Sequence, residues 1–216
     1  MRGLTNSLLA DIECERLPLV DGELLFWPQA EIALDSASLL DNLIRDSAWR
    51  QEEITVYGKA YRQPRLSAWY GDRGYSYSGI RLEPEPWTDT LLDIRERVQK
   101  LVGQDFNSVL LNYYRDQNDK MGMHSDDERE LGRQPVIASL SLGETRTLLL
   151  RHKTRRDLKT VKLPLPCGCL LVMRGNTQQH WRHGISAERS HCGPRINLTF
   201  RTIVPLSGRV PGKSIS

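Results

Sequence analysis

Seven residues near the C-terminus alternate polar and apolar without a break: Arg195-Ile196-Asn197-Leu198-Thr199-Phe200-Arg201. In a strand, successive side chains point to opposite faces. Arg195, Asn197, Thr199 and Arg201 therefore share one face, and Ile196, Leu198 and Phe200 the other. Similar short runs, separated by turn residues, predict strands at Ser108–Tyr114, 136–142, 147–152, 160–165, 169–173 and 195–202, and an earlier one at Glu23–Trp27. Between them the period changes to that of a helix. Residues 35–47 carry a stripe of Leu39, Leu40, Leu43 and Ile44 behind Asp35 or Ser36 as cap. Residues 88–102 follow Pro86, place Leu91, Ile94, Val98 and Leu101 on one side, and meet Gly103 as a terminator. Helices first and many short strands after predict a mainly β, α+β chain: a β-sandwich or jelly roll with helices packed on one sheet.

Length and composition narrow this reading. A chain of 216 residues with 39% hydrophobic residues and five tryptophans has material for one domain with a sizeable core. We divide it into an N-terminal extension (1–50) with a strand and a helix, a main body (51–206), and a polar, basic tail (207–216) expected to be disordered. No apolar run reaches the ~18 residues of a membrane span, and the N-terminal residues lack the apolar centre of a secretory signal. Four cysteines are few for this length and point to free thiols in a reducing compartment, cytoplasmic or, in a eukaryote, nuclear. The net charge of +3 permits a nucleic-acid partner without demanding one.

The chemistry lies in three places. Two guanidinium forks on one strand face suit a small dicarboxylate, provided the strand is internal; on an edge strand the same face would only be solvated. His124-Ser125-Asp126 sets an imidazole and a carboxylate two residues apart, two thirds of the facial triad that holds non-haem Fe(II). His180 and His183 are both available as the third ligand. An H-x-D alone says little, because the acidic run Asp126-Asp127-Glu128-Arg129-Glu130 could be an ordinary solvated loop. The order H-x-D, a later histidine and then R-x-N-x-x-x-R says more: metal ligands followed by a dianion site.

The segments Asn112-Tyr113-Tyr114, His124-Ser125-Asp126, Trp181-Arg182-His183-Gly184 and 195–201 resemble the motifs of the AlkB family, Fe(II)- and 2-oxoglutarate-dependent dioxygenases that repair alkylated nucleic acid. The resemblance runs over residues 56–204 and is nearest to the member acting on duplex DNA, with Arg182 where relatives often have tyrosine. It implies a double-stranded β-helix (jelly roll) with a nucleotide-recognition lid. It implies that His124, Asp126 and His183 hold Fe(II). His183 is preferred to His180 because Gly184-Ile185 follow it. Asn112 and Tyr114 would contact 2-oxoglutarate, Arg195 and Arg201 would pair with its carboxylates, and Asn197 and Thr199 would line the same wall. Which arginine takes which carboxylate stays open. Tyr75 and Tyr77 would belong to the lid, Asp127 and Glu128 would face a cationic methylated base, and Tyr57 would fill the gap left by a flipped base. The basic run 151–159 would touch phosphates. The implied reaction uses O2 to demethylate bases of the 1-methyladenine and 3-methylcytosine type, releasing formaldehyde and succinate. The expected partner is alkylated DNA, duplex as well as single-stranded, met by a monomer with no membrane involved. The same chemistry on RNA or single strands, and a non-catalytic nucleic-acid-binding jelly roll, are the alternatives.

Overall fold

A computed structural model of the chain describes residues 13–32, 35–56, 59–72, 75–77 and 80–204, with residues 54–56, 59, 75–77 and 80–82 described in their backbone alone. The elements in chain order are β1 (Glu15–Leu17), β2 (Glu23–Trp27), α1 (Ser36–Asp46), β3 (Glu53–Val56), β4 (Lys59–Arg62), β5 (Leu66–Gly71), β6 (Tyr75–Tyr77), β7 (Ile80–Leu82) and α2 (Asp89–Val102). They continue with β8 (Ser108–Tyr114), β9 (Met121–His124), a 3-10 turn at Arg129–Leu131, β10 (Ile137–Gly143), β11 (Arg146–His152), β12 (Val161–Leu165), β13 (Leu170–Arg174), α3 (Thr177–His180), β14 (Trp181–Ile185) and β15 (Arg195–Arg201).

Two antiparallel sheets face each other. The larger has the order β1-β2-β13-β10-β15-β8-β5 and the smaller β12-β11-β14-β9, while β3–β4 and β6–β7 form separate hairpins. The alternating strand β15 is internal, paired with β10 on one side and β8 on the other, and all seven of its residues are buried. Its apolar face, Ile196, Leu198 and Phe200, joins Val109 and Leu111 of β8, Leu140 of β10 and Val172 of β13 in a core outside the larger sheet. Both long helices close that core. Leu43 of α1 and Leu91, Ile94 and Val98 of α2 are buried in it, each worth about 1.5–3 kcal/mol as an upper estimate. Asp35 and Gly103 are the helix ends the sequence predicts, and Thr88, read there as the first helical residue, is the cap of α2. Asp35 accepts from the N–H groups of Ala37 and Ser38, Thr88 Oγ1 accepts from Leu91 N, and Gly103 ends α2 with a left-handed φ of 70°. A second core between the sheets includes Ile137, Leu148, Leu150, Leu171, Met173 and Ile185.

The N-terminal strand and helix are part of this body rather than an extension to it. β2 pairs along its whole length with β13, and Leu24, Phe26 and Trp27 are buried. The strands on either side of Tyr57, β3 and β4, pair in register from Glu53–Arg62 to Val56–Lys59; Tyr57 itself lies outside the described residues.

Gly143 ends β10 beside Arg195 at φ +86°, where an added Cβ would stand 2.3 Å from the Pro194 carbonyl oxygen. Gly143→Ala is therefore expected to destabilise the protein by about 1–3 kcal/mol or more, read as a lowered denaturation midpoint with an unchanged slope. A midpoint equal to wild type would show that this backbone can relax.

Candidate active site

The space between the sheets is lined from the larger sheet by the polar face of β15. Register places Arg195 opposite Tyr114 and Asn197 opposite Asn112, so the residues expected to hold a dicarboxylate do share one wall. A hydrogen-bonded chain runs along it. Arg195 Nη2 donates to Ser141 Oγ and Asn197 Oδ1, each at 3.0 Å, Ser139 Oγ donates to Asn197 Oδ1 at 2.8 Å, and Asn197 Nδ2 donates to Thr199 Oγ1 at 2.7 Å. Asn112 Oδ1 accepts from Arg65 Nε at 2.7 Å, so its amide N–H groups are turned to other use. Arg195 is fully buried, with its guanidinium 5.2 Å from the Tyr114 ring, and its Nε and Nη1 have no partner among the described residues. Burial presses its pKa down, yet a guanidinium stays charged at any ordinary pH. A buried cation with free donors and no acid beside it costs several kcal/mol until an anion arrives.

The smaller sheet supplies the metal cluster. His124 ends β9, Asp126 lies just beyond it, and His183 sits on β14 directly opposite His124. Only glycine fits at position 184, because a Cβ there would stand 2.8 Å from the Met121 carbonyl oxygen. That close approach brings the two imidazole rings to 4.4 Å between centroids. One ligand atom from each of His124, Asp126 and His183 lies within 4.8 Å of the others. Asp126 then reaches across to the larger sheet, where Arg201 Nη2 donates to its Oδ1 at 2.6 Å. Burial raises the Asp126 carboxyl, but this guanidinium together with the imidazoles of His183 and His124 outweighs it and holds the group below the usual carboxylate range. Burial and the neighbouring His124 push His183 down to about 3, so its imidazole is neutral at pH 7.

Protonation geometry tests whether these residues fit a divalent ion. His124 Nδ1 donates to the Gly122 carbonyl at 3.0 Å, which leaves Nε2 as a lone pair. Asp126 Oδ2 is buried without a hydrogen-bond partner. The set fits Fe(II): two imidazole nitrogens and one carboxylate oxygen held ready. A second group of the same composition, Asp21, His152 and His180, does not fit in the same way. His152 Nδ1 accepts the N–H groups of Thr154 at 3.2 Å and Arg155 at 2.9 Å. Its hydrogen must then sit on Nε2, which faces Asp21 Oδ2 at 3.4 Å and has no lone pair for a metal. His180 belongs to this second group, and His183 to the first.

The acids after the ligands part company. Glu128 lines the same pocket as His124, Asp126, Arg201 and Met121, with a carboxyl raised chiefly by burial and an Oε2 that has no partner. Asp127 is exposed, paired with Lys153 Nζ at 2.9 Å, and is not among the residues lining that pocket. Of the basic run, Arg151, Arg155, Arg156 and Lys159 are exposed, His152 is buried and Lys153 is turned inward. Tyr75 and Tyr77 lie on β6, paired with Leu82 and Ile80 of β7, and their side chains lie outside what is described. Among the pocket residues that the sequence did not single out, Trp69 on β5 donates to Ser108 Oγ at 2.7 Å, and Arg65 holds Asn112. The alternation of Leu66, Ala68 and Tyr70 around Trp69 was the available signal. Gln178, which lies behind Asp126 rather than in the pocket, has no such signal.

The profile of the 2OG-Fe(II) oxygenase superfamily matches residues 25–201. Over 179 residues the chain is 43% identical to the cattle (Bos taurus) alpha-ketoglutarate-dependent dioxygenase alkB homolog 3, covering 79% of this chain and 63% of that protein. Over 161 residues it is 44% identical to the mouse (Mus musculus) DNA oxidative demethylase ALKBH2, covering 71% and 67%. The chain thus spans a little under two thirds of the length of its alkB homolog 3 relatives. In fold it resembles OsALKBH1, with a TM-score of 0.60, 18% identity, and 87% of this chain and all of that one covered. With the profile spanning both sheets and the ligand cluster, the chain belongs to the 2OG-Fe(II) oxygenase superfamily and, within it, to the AlkB family.

Proposed function

We propose that the protein is an Fe(II)- and 2-oxoglutarate-dependent dioxygenase that removes N-alkyl groups from DNA bases. The observation that carries this is a metal-ready His-Asp-His cluster on the smaller sheet facing, through the Asp126–Arg201 pair, the strand of the larger sheet that also carries the uncompensated Arg195. A non-catalytic binding module would have no use for both. When bound, the iron with 2-oxoglutarate and O2 supplies the oxidising power to hydroxylate an N-methyl carbon, and the product loses formaldehyde. The remaining tasks fall to the chain. His124, His183 and Asp126 Oδ2 would hold the metal. Arg201 keeps Asp126 ionised and so is already engaged. Arg195, whose Nε and Nη1 have no hydrogen-bond partner among the described residues, is left to take the dicarboxylate end away from the metal, while the Asn112 amide and the Tyr114 hydroxyl face the same ligand.

For the base, Trp69 offers an aromatic wall, and stacking is worth roughly 1–3 kcal/mol. Glu128, rather than Asp127, is the carboxylate in place to oppose the positive charge of 1-methyladenine or 3-methylcytosine. The exposed Arg151, Arg155, Arg156 and Lys159 suit a phosphate backbone. Both mouse ALKBH2 and cattle alkB homolog 3 stand at nearly equal identity, so strandedness is decided by residues such as Tyr57 rather than by overall likeness. Formaldehyde release from oligonucleotides carrying 1-methyladenine, single- and double-stranded, with and without 2-oxoglutarate, tests the reading. Release that is independent of 2-oxoglutarate, or none at all with Fe(II) present, overturns it.

For the metal, His183→Ala is expected to abolish tight Fe(II) binding while His180→Ala retains it, as read by titration with the metal alone. The reverse pattern would move the third ligand to α3. For the co-substrate, Arg195→Ala should weaken 2-oxoglutarate by roughly 2–5 kcal/mol and leave metal affinity intact, whereas Arg201→Ala should weaken both. Equal metal loss in the two variants would contradict this division. For the nucleic acid, Tyr57→Ala should depress turnover on duplex far more than on single strands, because stabilising a flipped base against re-stacking is needed only there. Tyr77→Ala should lower both by similar factors. Steady-state rates on matched oligonucleotides decide it, and equal losses for Tyr57→Ala on both would favour single strands or RNA as substrate.

A further inference from the structure

Asp126 follows the end of β9 and lies outside the strand ladder, so backbone pairing does not set its position. Its N–H is held instead by a side chain: Gln178 Oε1 accepts it at 2.9 Å. Gln178 is 1% exposed, sits on the four-residue helix α3, and rests its Nε2 on Met173 Sδ at 3.6 Å. The residue between the two ligands makes a parallel tie, with Ser125 Oγ donating to the Trp181 carbonyl at 2.8 Å. Lys153 Nζ closes a third, joining the Gln178 carbonyl at 2.8 Å to Asp127 at 2.9 Å. The turn carrying His124 and Asp126 is thereby cross-linked to the segment that leads into His183.

We infer that Gln178 is a positioning residue for the metal site: by fixing the Asp126 backbone it aims the carboxylate so that Arg201 takes Oδ1 and Oδ2 is left for the ion. The inference rests on the iron reading above. Gln178 does not line the pocket that holds His124 and Asp126 and is not one of the clustered ligand residues. Its amide oxygen is suited to the task because it is neutral, buried and anchored at its other end. With Gln178 on one side and Arg201 on the other, two of the three attachment points of Asp126 are occupied, and the unpartnered oxygen is the third. Supports of this kind, when removed, typically cost 10–100-fold in metal affinity.

The test is Co(II) titration of the full chain, followed by its visible absorption. Gln178→Met keeps the length and apolar bulk but lacks the acceptor, and should raise the Co(II) dissociation constant about 10–100-fold and alter the absorption bands. Gln178→Glu, which keeps an oxygen at that place, should recover most of the affinity. A residue that only stabilised the fold would lower the unfolding midpoint of the metal-free protein and leave the affinity and spectrum of the folded protein unchanged; that result overturns the inference and spares the iron reading. Equal losses in the two variants also overturn it, since the acceptor would then not matter. Failure of the wild-type chain to bind Co(II) at all sinks both. Should Gln178→Met not fold, amide hydrogen exchange of wild-type Asp126 decides: slow exchange supports the bond, and exchange at the rate of a free amide refutes it.

Discussion

Burying Arg195 without an acid beside it is the constraint around which this fold is arranged. The strand that carries it has to be internal, with both edges paired, because only there does water leave the guanidinium alone. An internal strand with four polar residues on one face needs a partner surface that is also polar, and β8 and β10 supply Asn112, Tyr114, Ser139 and Ser141. Its other face needs a wholly apolar cover, which α1 and α2 provide. The outer core is what keeps the inner wall rigid enough to hold an unsatisfied charge. The cost of that charge is offset only in the ligand-bound state, which turns a folding penalty into binding selectivity for anions.

The metal cluster shows how little composition says about chemistry. Two groups of two histidines and an aspartate lie in the same small protein. They differ in what the main chain does to one ring nitrogen. Where a carbonyl receives the Nδ1 hydrogen of His124, the opposite nitrogen keeps a lone pair that suits a metal. Where two amides point at Nδ1 of His152, the opposite nitrogen is a donor, and the group becomes a polar tie between the turn at Asp21 and the loop after β11.

Much of this was legible in the sequence wherever a period was long enough to read. The seven-residue alternation of β15, the two amphipathic helices and their caps at Asp35, Thr88 and Gly103 follow from local rules that tertiary contacts reinforced. The H-x-D pair and the arginine strand were recognisable for the same reason. What escaped is set by partners distant in sequence. β9 and β14 have four and five residues, too few for a period, and they exist because they pair with each other. The choice between His180 and His183 could not be made by spacing alone, since α3 ends and β14 begins between them. Asp127 carries the same charge as its neighbours, and only Lys153, reached from another loop, draws it away from the pocket. Gln178 is an ordinary glutamine in sequence, and the five-residue apolar run of β2, though readable as a strand, does not reveal that β13 is the strand it joins.

The place of β15 in the sheet also bears on how the protein comes into being. It is the last of the described strands, yet it lies between β10 and β8, and both of its neighbours wait for it. Until it inserts, the larger sheet is two separate pieces, β1-β2-β13-β10 and β8-β5, each with a bare edge. During synthesis these edges stand open until β15 has emerged. Pairings this far apart in sequence make for slow folding and for transient edges that invite wrong partners. The strand that supplies both arginines is thus also the one that closes the sheet, so a chain that has not finished folding has neither the polar wall around Arg195 nor the guanidinium that steadies Asp126.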